Sequence, residues 1–275
     1  MKKVNYNELQ SIANSLRIDI LNTIYHAKSG HIGGSFSSAE ILTVLYYYKM
    51  NIRPEEPDWE DRDRFILSKG HAAPVLYGTL ANKGYFDKSL LQTEFRTVNG
   101  ILQGHPCIHT PGVDMPGGSL GMGLSSACGI ALGARITNKK YRVYVLVGDG
   151  ESNEGQIWEA AMAAAHHKLD NLVMLLDKNG MQNDGFTNEV MQNDNLCEKF
   201  SAFGWNVSSI DGHNVEQIIN ALDNVEMIKG KPSVIICNTV KAKGVSFMEN
   251  DIRFHGGCPT KEEYKIALTE LESKL

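Results

Sequence analysis

Paired cysteines are absent from this sequence of 275 residues. Its five cysteines are scattered, and none forms a C-x-x-C pair with another: Cys107, Cys128, Cys197, Cys237 and Cys258. The sequence therefore carries no zinc-binding or dithiol signature. An odd number of scattered cysteines is typical of reduced thiols, and it predicts a cytoplasmic protein.

Long apolar runs and an excess of basic residues are also missing. No apolar stretch approaches the ~20 residues that a membrane-spanning helix needs, and Met1 to Gln10 lacks the apolar core of a signal peptide. With 27 basic and 32 acidic residues the net charge is −5. This balance argues against a nucleic-acid partner, because phosphate neutralisation requires a basic surface. The sequence thus predicts a soluble globular protein without a membrane or nucleic-acid partner.

The apolar pattern predicts a single α/β domain over residues 1–275 with a helical N-terminal part. Apolar residues at helical spacing predict helices at Leu9 to Ile24 and Ser37 to Tyr48, followed by a surface loop at Asn51 to Asp63 and a short strand at Phe65 to Leu67. Further strands are predicted at residues 142–147, 172–176, 205–210 and 234–237, and further helices at 157–167, 215–228 and 260–271. Alternating strands and helices predict right-handed βαβ units, hence a mostly parallel central sheet with helices on both faces.

Polar residues with ligand chemistry follow two of the buried strands. Gly148-Asp149-Gly150 comes after the first, and Asp177-Lys178-Asn179-Gly180 comes after the second. Ligands of open α/β sheets bind beyond the carboxyl ends of the strands, so two adjacent strands would bring Asp149 and Asn179 together. A carboxylate and an amide oxygen leave coordination positions that Mg²⁺ commonly fills with phosphate oxygens and water. Either loop alone is more often a simple turn, but their joint occurrence favours a ligand site.

The segment that begins with Gly148-Asp149-Gly150 and ends at Asn179 resembles the thiamine diphosphate motif, which begins with Gly-Asp-Gly and ends at an asparagine. Other motifs narrow the resemblance to the transketolase family and stand in that family's order: Ser29-Gly30-His31, Ser68-Lys69-Gly70-His71, Gly104-His105-Pro106, Gly118-Ser119-Leu120-Gly121 and His255-Gly256. The resemblance covers nearly the whole chain, and it implies the thiamine diphosphate-binding fold.

The resemblance also implies roles for individual residues. The metal ligands would be Asp149, Asn179 and the main-chain carbonyl of Met181, around Mg²⁺ or another divalent cation such as Ca²⁺ or Mn²⁺. The cofactor contacts would be His71, Gly118, Ser119, Leu120, Gly150, Glu151, Asn179 and His255. The catalytic residues would be His31, His71, His105 and His255. Histidine suits the handling of protons on sugar hydroxyls and carbonyls because its ordinary pKa, about 6.5, lies close to working pH.

A complete transketolase, by the same resemblance, is more than twice as long and also carries pyrimidine-binding and C-terminal domains. The Met1 start and the charged helical C-terminus favour a separate N-terminal subunit over a fragment. We therefore expect an enzyme that is active only with a partner subunit carrying the pyrimidine-binding domain, in an α2β2 heterotetramer. Glu154 and Glu159 match family glutamates at the subunit interface. The expected reaction transfers a two-carbon ketol unit from a ketose phosphate to an aldose phosphate.

Several alternatives stay open at this point. The chain could belong to another thiamine diphosphate enzyme, either similar to 1-deoxyxylulose-5-phosphate synthase or dependent on 2-oxoacids, or it could be a catalytically inactive structural subunit. An ordinary nucleotide-binding domain is disfavoured, because no G-x-G-x-x-G turn or P-loop lysine follows a strand. Ser119 stands where many full-length transketolases carry proline, and Asp177-Lys178-Asn179 replaces a run with adjacent asparagines. Both departures leave the identity of the sugar substrate open, with pentose phosphates as the default and a specialised catabolic sugar as the alternative.

Overall fold

The computed structural model describes residues 4–275. The first three residues, and with them part of the N-terminal segment considered above, lie outside the described part of the chain. Five strands form one sheet in the order β1-β2-β3-β5-β4, and every neighbouring pair is parallel. The strands are β1 (Arg64–Leu67), β2 (Val143–Gly148), β3 (Leu172–Lys178), β4 (Asn206–Asp211) and β5 (Ser233–Asn238). The predicted parallel sheet is confirmed.

Eleven α-helices surround the sheet within residues 4–275. They are α1 (Tyr6–Ala27), α2 (Ile32–Phe36), α3 (Ala39–Val44), α4 (Ala73–Lys83), α5 (Leu90–Thr93), α6 (Met122–Ile136), α7 (Gly155–His166), α8 (Thr187–Val190), α9 (Leu196–Ala202), α10 (Val215–Asn224) and α11 (Lys261–Glu272). Local sequence explains several helix starts. Asn5 caps α1, and Thr260 with Glu263 forms a capping box that begins α11.

Alternate residues of each central strand face two separate hydrophobic cores, as expected for a sheet covered on both sides. In β2, Tyr144 and Leu146 pack into the core with α1, α3 and α10, whereas Val145 and Val147 pack into the core with α6, α7 and α9. Helices therefore cover both faces, which confirms the predicted fold class. No helix within residues 4–275 is long and apolar enough to cross a membrane.

The structure differs from the predicted elements in several places. The helices α4 and α6 were not predicted; α6 contains Gly123, Gly129 and Gly133, which interrupt the apolar periodicity that identifies a helix. The predicted helix at 37–48 is α3 followed by a π-helix at Leu45–Lys49, and the one at 215–228 ends as a 3₁₀ turn at Val225–Met227. Strand β3 runs two residues further than predicted, because Asp177 is fully buried and paired inside the protein.

The carboxyl ends of β2 and β3 lie side by side. Gly148 pairs in register with Asp177, and the Asp149 N–H donates to the Asp177 carbonyl at 3.2 Å. β1 is a parallel neighbour of β2, and β5 is a parallel neighbour of β3. The segments that follow β1 and β5 therefore reach the same edge. The segments that follow these four strands at this edge contribute to the site described next.

Candidate active site

The three predicted metal ligands are contiguous at the ends of β2 and β3. The Asp149 carboxylate is buried and accepts hydrogen bonds from the N–H groups of Gly150, at 2.9 Å, and Gly180, at 2.6 Å. The Asn179 side-chain oxygen accepts a hydrogen bond from the Met181 N–H at 3.2 Å. The expected approach of Asp149 to Asn179 is thus confirmed by the geometry of the two strand ends.

Burial disfavours the charge on Asp149. Burial and the negative charge of Asp177 raise the pKa of the Asp149 carboxyl to about 6. Within residues 4–275 no cluster of three or more His, Cys, Asp or Glu side chains could hold a metal ion unaided. A cation at Asp149 would therefore rely on amide, carbonyl and phosphate oxygens, a hard-oxygen set that suits Mg²⁺. The donor set fits a divalent cation bound together with a diphosphate.

Three of the four predicted histidines form a packed triangle above this edge. The ring centroids of His31 and His71 are 5.1 Å apart, those of His31 and His255 are 5.7 Å apart, and those of His71 and His255 are 5.5 Å apart. His31 precedes α2, His71 lies in the 3₁₀ turn after β1, and His255 follows a 3₁₀ turn at Ile252–Phe254. Segments remote in sequence thus meet at one point, which the order of motifs alone could not reveal.

These imidazoles are held in the neutral form. Burial, followed by neighbouring positive charges, lowers the pKa of His71 to about 2 and those of His31 and His255 to about 4. The His31 Nδ1 atom is buried without a hydrogen-bond partner. A buried nitrogen that lacks a partner is costly, so it marks a position where a bound molecule can supply the missing contact. Neutral imidazoles can donate one hydrogen bond and accept another.

The fourth histidine, His105, is more exposed and lies near Gly118 on the wall of the same cavity. Burial and the positive charge of Arg96 lower the pKa of His105. Gly118 has a φ of +148°, and its backbone packs so closely on Gly70 that a Cβ at Gly70 would lie 2.8 Å from the Gly118 nitrogen. The Gly-rich segment therefore approaches the histidines as a bare backbone.

The remaining predicted cofactor residues have different positions. Gly150 and Leu120 line the cavity, whereas Ser119 lines an adjoining cavity on the side of β1. Glu151 is buried, and its carboxylate accepts hydrogen bonds from the Ser68 hydroxyl and from the N–H groups of Gly121 and Gly148. Glu151 thereby joins three of the loops that surround the cavity.

Three charged residues of the site were missed by sequence reasoning. The Lys241 ammonium lies 3.2 Å from the Met181 carbonyl and 2.6 Å from His255 Nδ1, and burial lowers its pKa to about 8. Lys69 is buried in an ion pair with Asp177. Position relative to the strands could have identified Lys241, because it follows β5 at the same edge of the sheet. Asp177 lies at the same edge, but aspartate is common in turns, so its sequence position alone did not distinguish it from a turn residue.

Asp177 orients Asn179, one of the predicted metal ligands. Its carboxylate accepts hydrogen bonds from Lys69, Ser37, Thr239 and the Asn179 side-chain nitrogen, the last at 2.9 Å. Because that nitrogen donates to Asp177, the Asn179 side-chain oxygen must point the other way, toward Asp149 and Met181. The buried ion pair thus determines which atom Asn179 presents to the site.

Together these residues enclose a cavity of about 430 Å³ at the carboxyl edge of the sheet. Its lining combines hard oxygen donors, neutral histidines with a lysine, and bare glycine backbone. This combination defines an α/β protein that can hold a metal ion and a phosphorylated organic cofactor.

Comparison with known proteins defines the family. Residues 9–272 match the family described as "Transketolase, thiamine diphosphate binding domain". The chain is 45% identical to the 6-deoxy-6-sulfo-D-fructose transketolase subunit SqwG of Clostridium sp. (strain MSTE9), covering 97% of each chain. It is 42% identical to an apulose-4-phosphate transketolase subunit of Phocaeicola vulgatus, covering 98% of this chain and 94% of that one.

Longer transketolases match over only part of their length. The structure of transketolase from Campylobacter jejuni superposes with a TM-score of 0.92 at 35% identity, covering 98% of this chain and 43% of the other. The chain likewise spans 42% of the length of human transketolase, at 37% identity. The chain belongs to the transketolase family and corresponds to its N-terminal, thiamine diphosphate-binding part. The predicted subunit of a thiamine diphosphate-dependent transketolase is confirmed, and the alternative enzyme classes are not favoured.

Proposed function

We propose that this chain holds the diphosphate and metal of thiamine diphosphate in a two-subunit transketolase. The observation that carries the proposal is that Asp149, Asn179 and Met181 line one cavity with the triangle of histidines, and that Lys241 contacts both the Met181 carbonyl and His255. Asp149, Asn179 and Met181 would bind the divalent cation, with Mg²⁺ as the best fit and Ca²⁺ or Mn²⁺ as substitutes. The remaining coordination positions suit diphosphate oxygens and water.

The diphosphate itself would be held by groups on three sides of the cation. His71 and His255 offer ring nitrogens, and Gly150, whose N–H donates to the Asp149 carboxylate, lines the same cavity at the start of a 3₁₀ turn. Lys241 supplies a positive charge next to the Met181 carbonyl. Backbone at Gly118 and Leu120 would face the aminopyrimidine. These assignments place one positive side chain and several neutral donors around a strongly anionic group.

When bound, thiamine diphosphate supplies the nucleophilic carbon and the electron sink for cleavage of the sugar. The protein's own residues bind, orient and exchange protons. His31 and His105 would hydrogen-bond the hydroxyl and carbonyl groups of the sugar. The low pKa of His31 keeps its ring neutral at working pH, so it can accept a hydrogen bond from a hydroxyl.

A second protein chain would complete the site. The two relatives described as transketolase subunits match this chain over nearly their whole length. Exposed apolar side chains lie beside the cavity mouth, at Leu120, Met122, Phe186, Val190 and Met191. We propose that a C-terminal subunit with the pyrimidine-binding domain covers this surface, in an α2β2 assembly. Glu154, exposed on the cavity wall, would lie close to that interface.

The sugar substrates are proposed as a ketose phosphate donor and an aldose phosphate acceptor. One relative is named for 6-deoxy-6-sulfo-D-fructose and another for apulose-4-phosphate. These names support a specialised sugar as readily as the pentose phosphates. The cysteines of this chain are all free within residues 4–275, and we propose a cytoplasmic location on this basis.

Reconstitution tests this function. The chain is co-expressed with the adjacent open reading frame as candidate partner, titrated with thiamine diphosphate and Mg²⁺, and assayed for ketol transfer from a panel of sugar phosphates. Metal-dependent binding and turnover by the complex, but not by the chain alone, are expected. Binding with turnover of a 2-oxoacid donor only would identify another thiamine-dependent reaction. Failure of a correctly assembled complex to bind the cofactor would identify a structural subunit.

A further inference from the structure

The loop after β5 contains a strained residue directly beside Lys241. Ala242 has a φ of +59°, a left-handed conformation that is unfavourable for an L residue with a Cβ. Such strain persists only where the surroundings over-determine the backbone. The Ala242 N–H donates to the Gly33 carbonyl at 3.0 Å, and the Val240 N–H donates to His213 Nε2 at 2.8 Å. The backbone on both sides of Lys241 is therefore anchored.

The hydrogen bonds of His213 determine its tautomer. Nε2 accepts the Val240 N–H, so the ring proton lies on Nδ1, which faces the Glu40 carboxylate at 3.0 Å. Glu40 is buried and is held in turn by two hydrogen bonds from Arg17, at 2.7 and 2.6 Å. The imidazole is thus fixed at both nitrogens, one against a buried ion pair and the other against the loop.

His213 lies in the turn between β4 and α10. It is not among the residues that line the cavity, and its hydrogen bond from the Val240 N–H connects it directly to the loop. The loop's side chain in the cavity is Lys241, which contacts the Met181 carbonyl and His255. A long lysine side chain has many rotamers, and a fixed backbone is needed to aim its charge at one point.

We propose that His213, anchored by Glu40, is a positioning residue that aims the Lys241 ammonium at the diphosphate. The inference rests on the proposed function, in which Lys241 faces that group. Because the loop is already fixed in the ligand-free chain, it loses less conformational entropy when the cofactor binds. His213 thereby contributes to cofactor affinity from outside the site.

Two amide substitutions separate the contacts of His213. In His213→Gln the side-chain oxygen reaches the place of Nε2 and can accept the Val240 N–H. In His213→Asn the amide reaches only the place of Nδ1, so Glu40 keeps a partner while the Val240 N–H loses its acceptor. We expect hydrogen exchange at the Val240 amide of the ligand-free chain to accelerate about tenfold in His213→Asn. Exchange in His213→Gln should stay near wild type, as should that of His26→Asn, an exposed control on α1.

A double-mutant cycle tests the connection to Lys241. Thiamine diphosphate is titrated, at fixed Mg²⁺, into the reconstituted complex of each variant. His213→Asn should weaken binding about tenfold in the wild-type background and should have no further effect in Lys241→Met. Additive losses in the two backgrounds would overturn the proposal, because His213 would then act by another route. Equal binding by His213→Asn and wild type would overturn it as well.

Failure of the proposed function is distinguishable from failure of this inference. A wild-type complex that binds no thiamine diphosphate refutes the proposed function and the inference together. A wild-type complex that binds, with an additive cycle, refutes only the inference. If His213→Asn does not fold, His213→Gln decides: exchange at Val240 and cofactor affinity that change together, or that both stay at the wild-type value, support the proposal, and a change in only one of the two overturns it.

Discussion

Asp149→Asn should strongly weaken metal-dependent cofactor binding while leaving the ligand-free fold about as stable as wild type. In the folded chain, burial and the charge of Asp177 raise the pKa of the Asp149 carboxyl from 3.8 to about 6. Carrying that charge at neutral pH therefore costs about 3 kcal/mol. Asparagine removes this cost. It also loses one acceptor for the Gly150 and Gly180 N–H groups, a loss of about 1–3 kcal/mol, so the two effects nearly offset each other.

Cofactor affinity should respond quite differently. The Asp149 carboxylate is the one charged ligand in the proposed set with Asn179 and Met181, and a lost charge-assisted contact of about 3 kcal/mol weakens binding about a hundredfold. Calorimetric titration of the complex with thiamine diphosphate and Mg²⁺ measures the affinity, and thermal circular dichroism with EDTA measures the fold. Asp149→Ala, which removes both acceptors, is the matched control and should be less stable than Asp149→Asn. Undiminished Mg²⁺-dependent binding by Asp149→Asn would refute the metal assignment.

Three further predictions address the surroundings of the site. Asp177→Asn leaves the buried Lys69 ammonium unpaired, so urea unfolding should show a loss of about 3–5 kcal/mol; an unchanged midpoint would contradict the buried pair. Gly70→Ala places a Cβ 2.8 Å from the facing glycine backbone and should lower cofactor affinity, whereas Gly129→Ala, with open space around it on α6, should stabilise the chain by up to about 1 kcal/mol. Because the pKa of His71 is lowered to about 2, unfolding takes up a proton below the ordinary value of 6.5. The contribution of His71 to the free energy of unfolding is fully present above that pH and should fall by about 3 kcal/mol on going down to about pH 4.5. In urea titrations at a series of pH values, His71→Asn should reduce this dependence of stability on pH.

The sequence predicted the parts of the fold that depend on uninterrupted patterns. The apolar runs of β2 and β3 identified two buried strands, and the edge rule for parallel sheets then placed Asp149 next to Asn179. Helix α6 was not predicted because its glycines interrupt the apolar periodicity. The helix is stabilised by packing against β2 and α7. A local sequence pattern does not predict stabilisation that comes from tertiary packing.

The candidate site was predictable where short motifs carry the signal and unpredictable where distant charges meet. The histidine motifs identified the right residues, yet nothing in them indicated that three rings pack within 6 Å of one another. Asp177 was predicted to end its strand, since aspartate is common in turns. Its role depends on Lys69, more than a hundred positions earlier, and such a pair is recognised only after the chain has folded.

The electrostatics of the ligand-free site explain why cofactor and metal should bind together. Burial opposes the negative charge on Asp149 and the positive charge on Lys241, and it keeps His71 and His255 neutral. A cation alone would relieve only Asp149, and a diphosphate alone would meet the Asp149 carboxylate as a like charge. In the proposed arrangement a metal diphosphate would satisfy both requirements at once, with the cation at the carboxylate and the phosphate oxygens at Lys241 and the imidazoles. The arrangement therefore favours the paired ligand over either component by electrostatic complementarity, without requiring a change of fold.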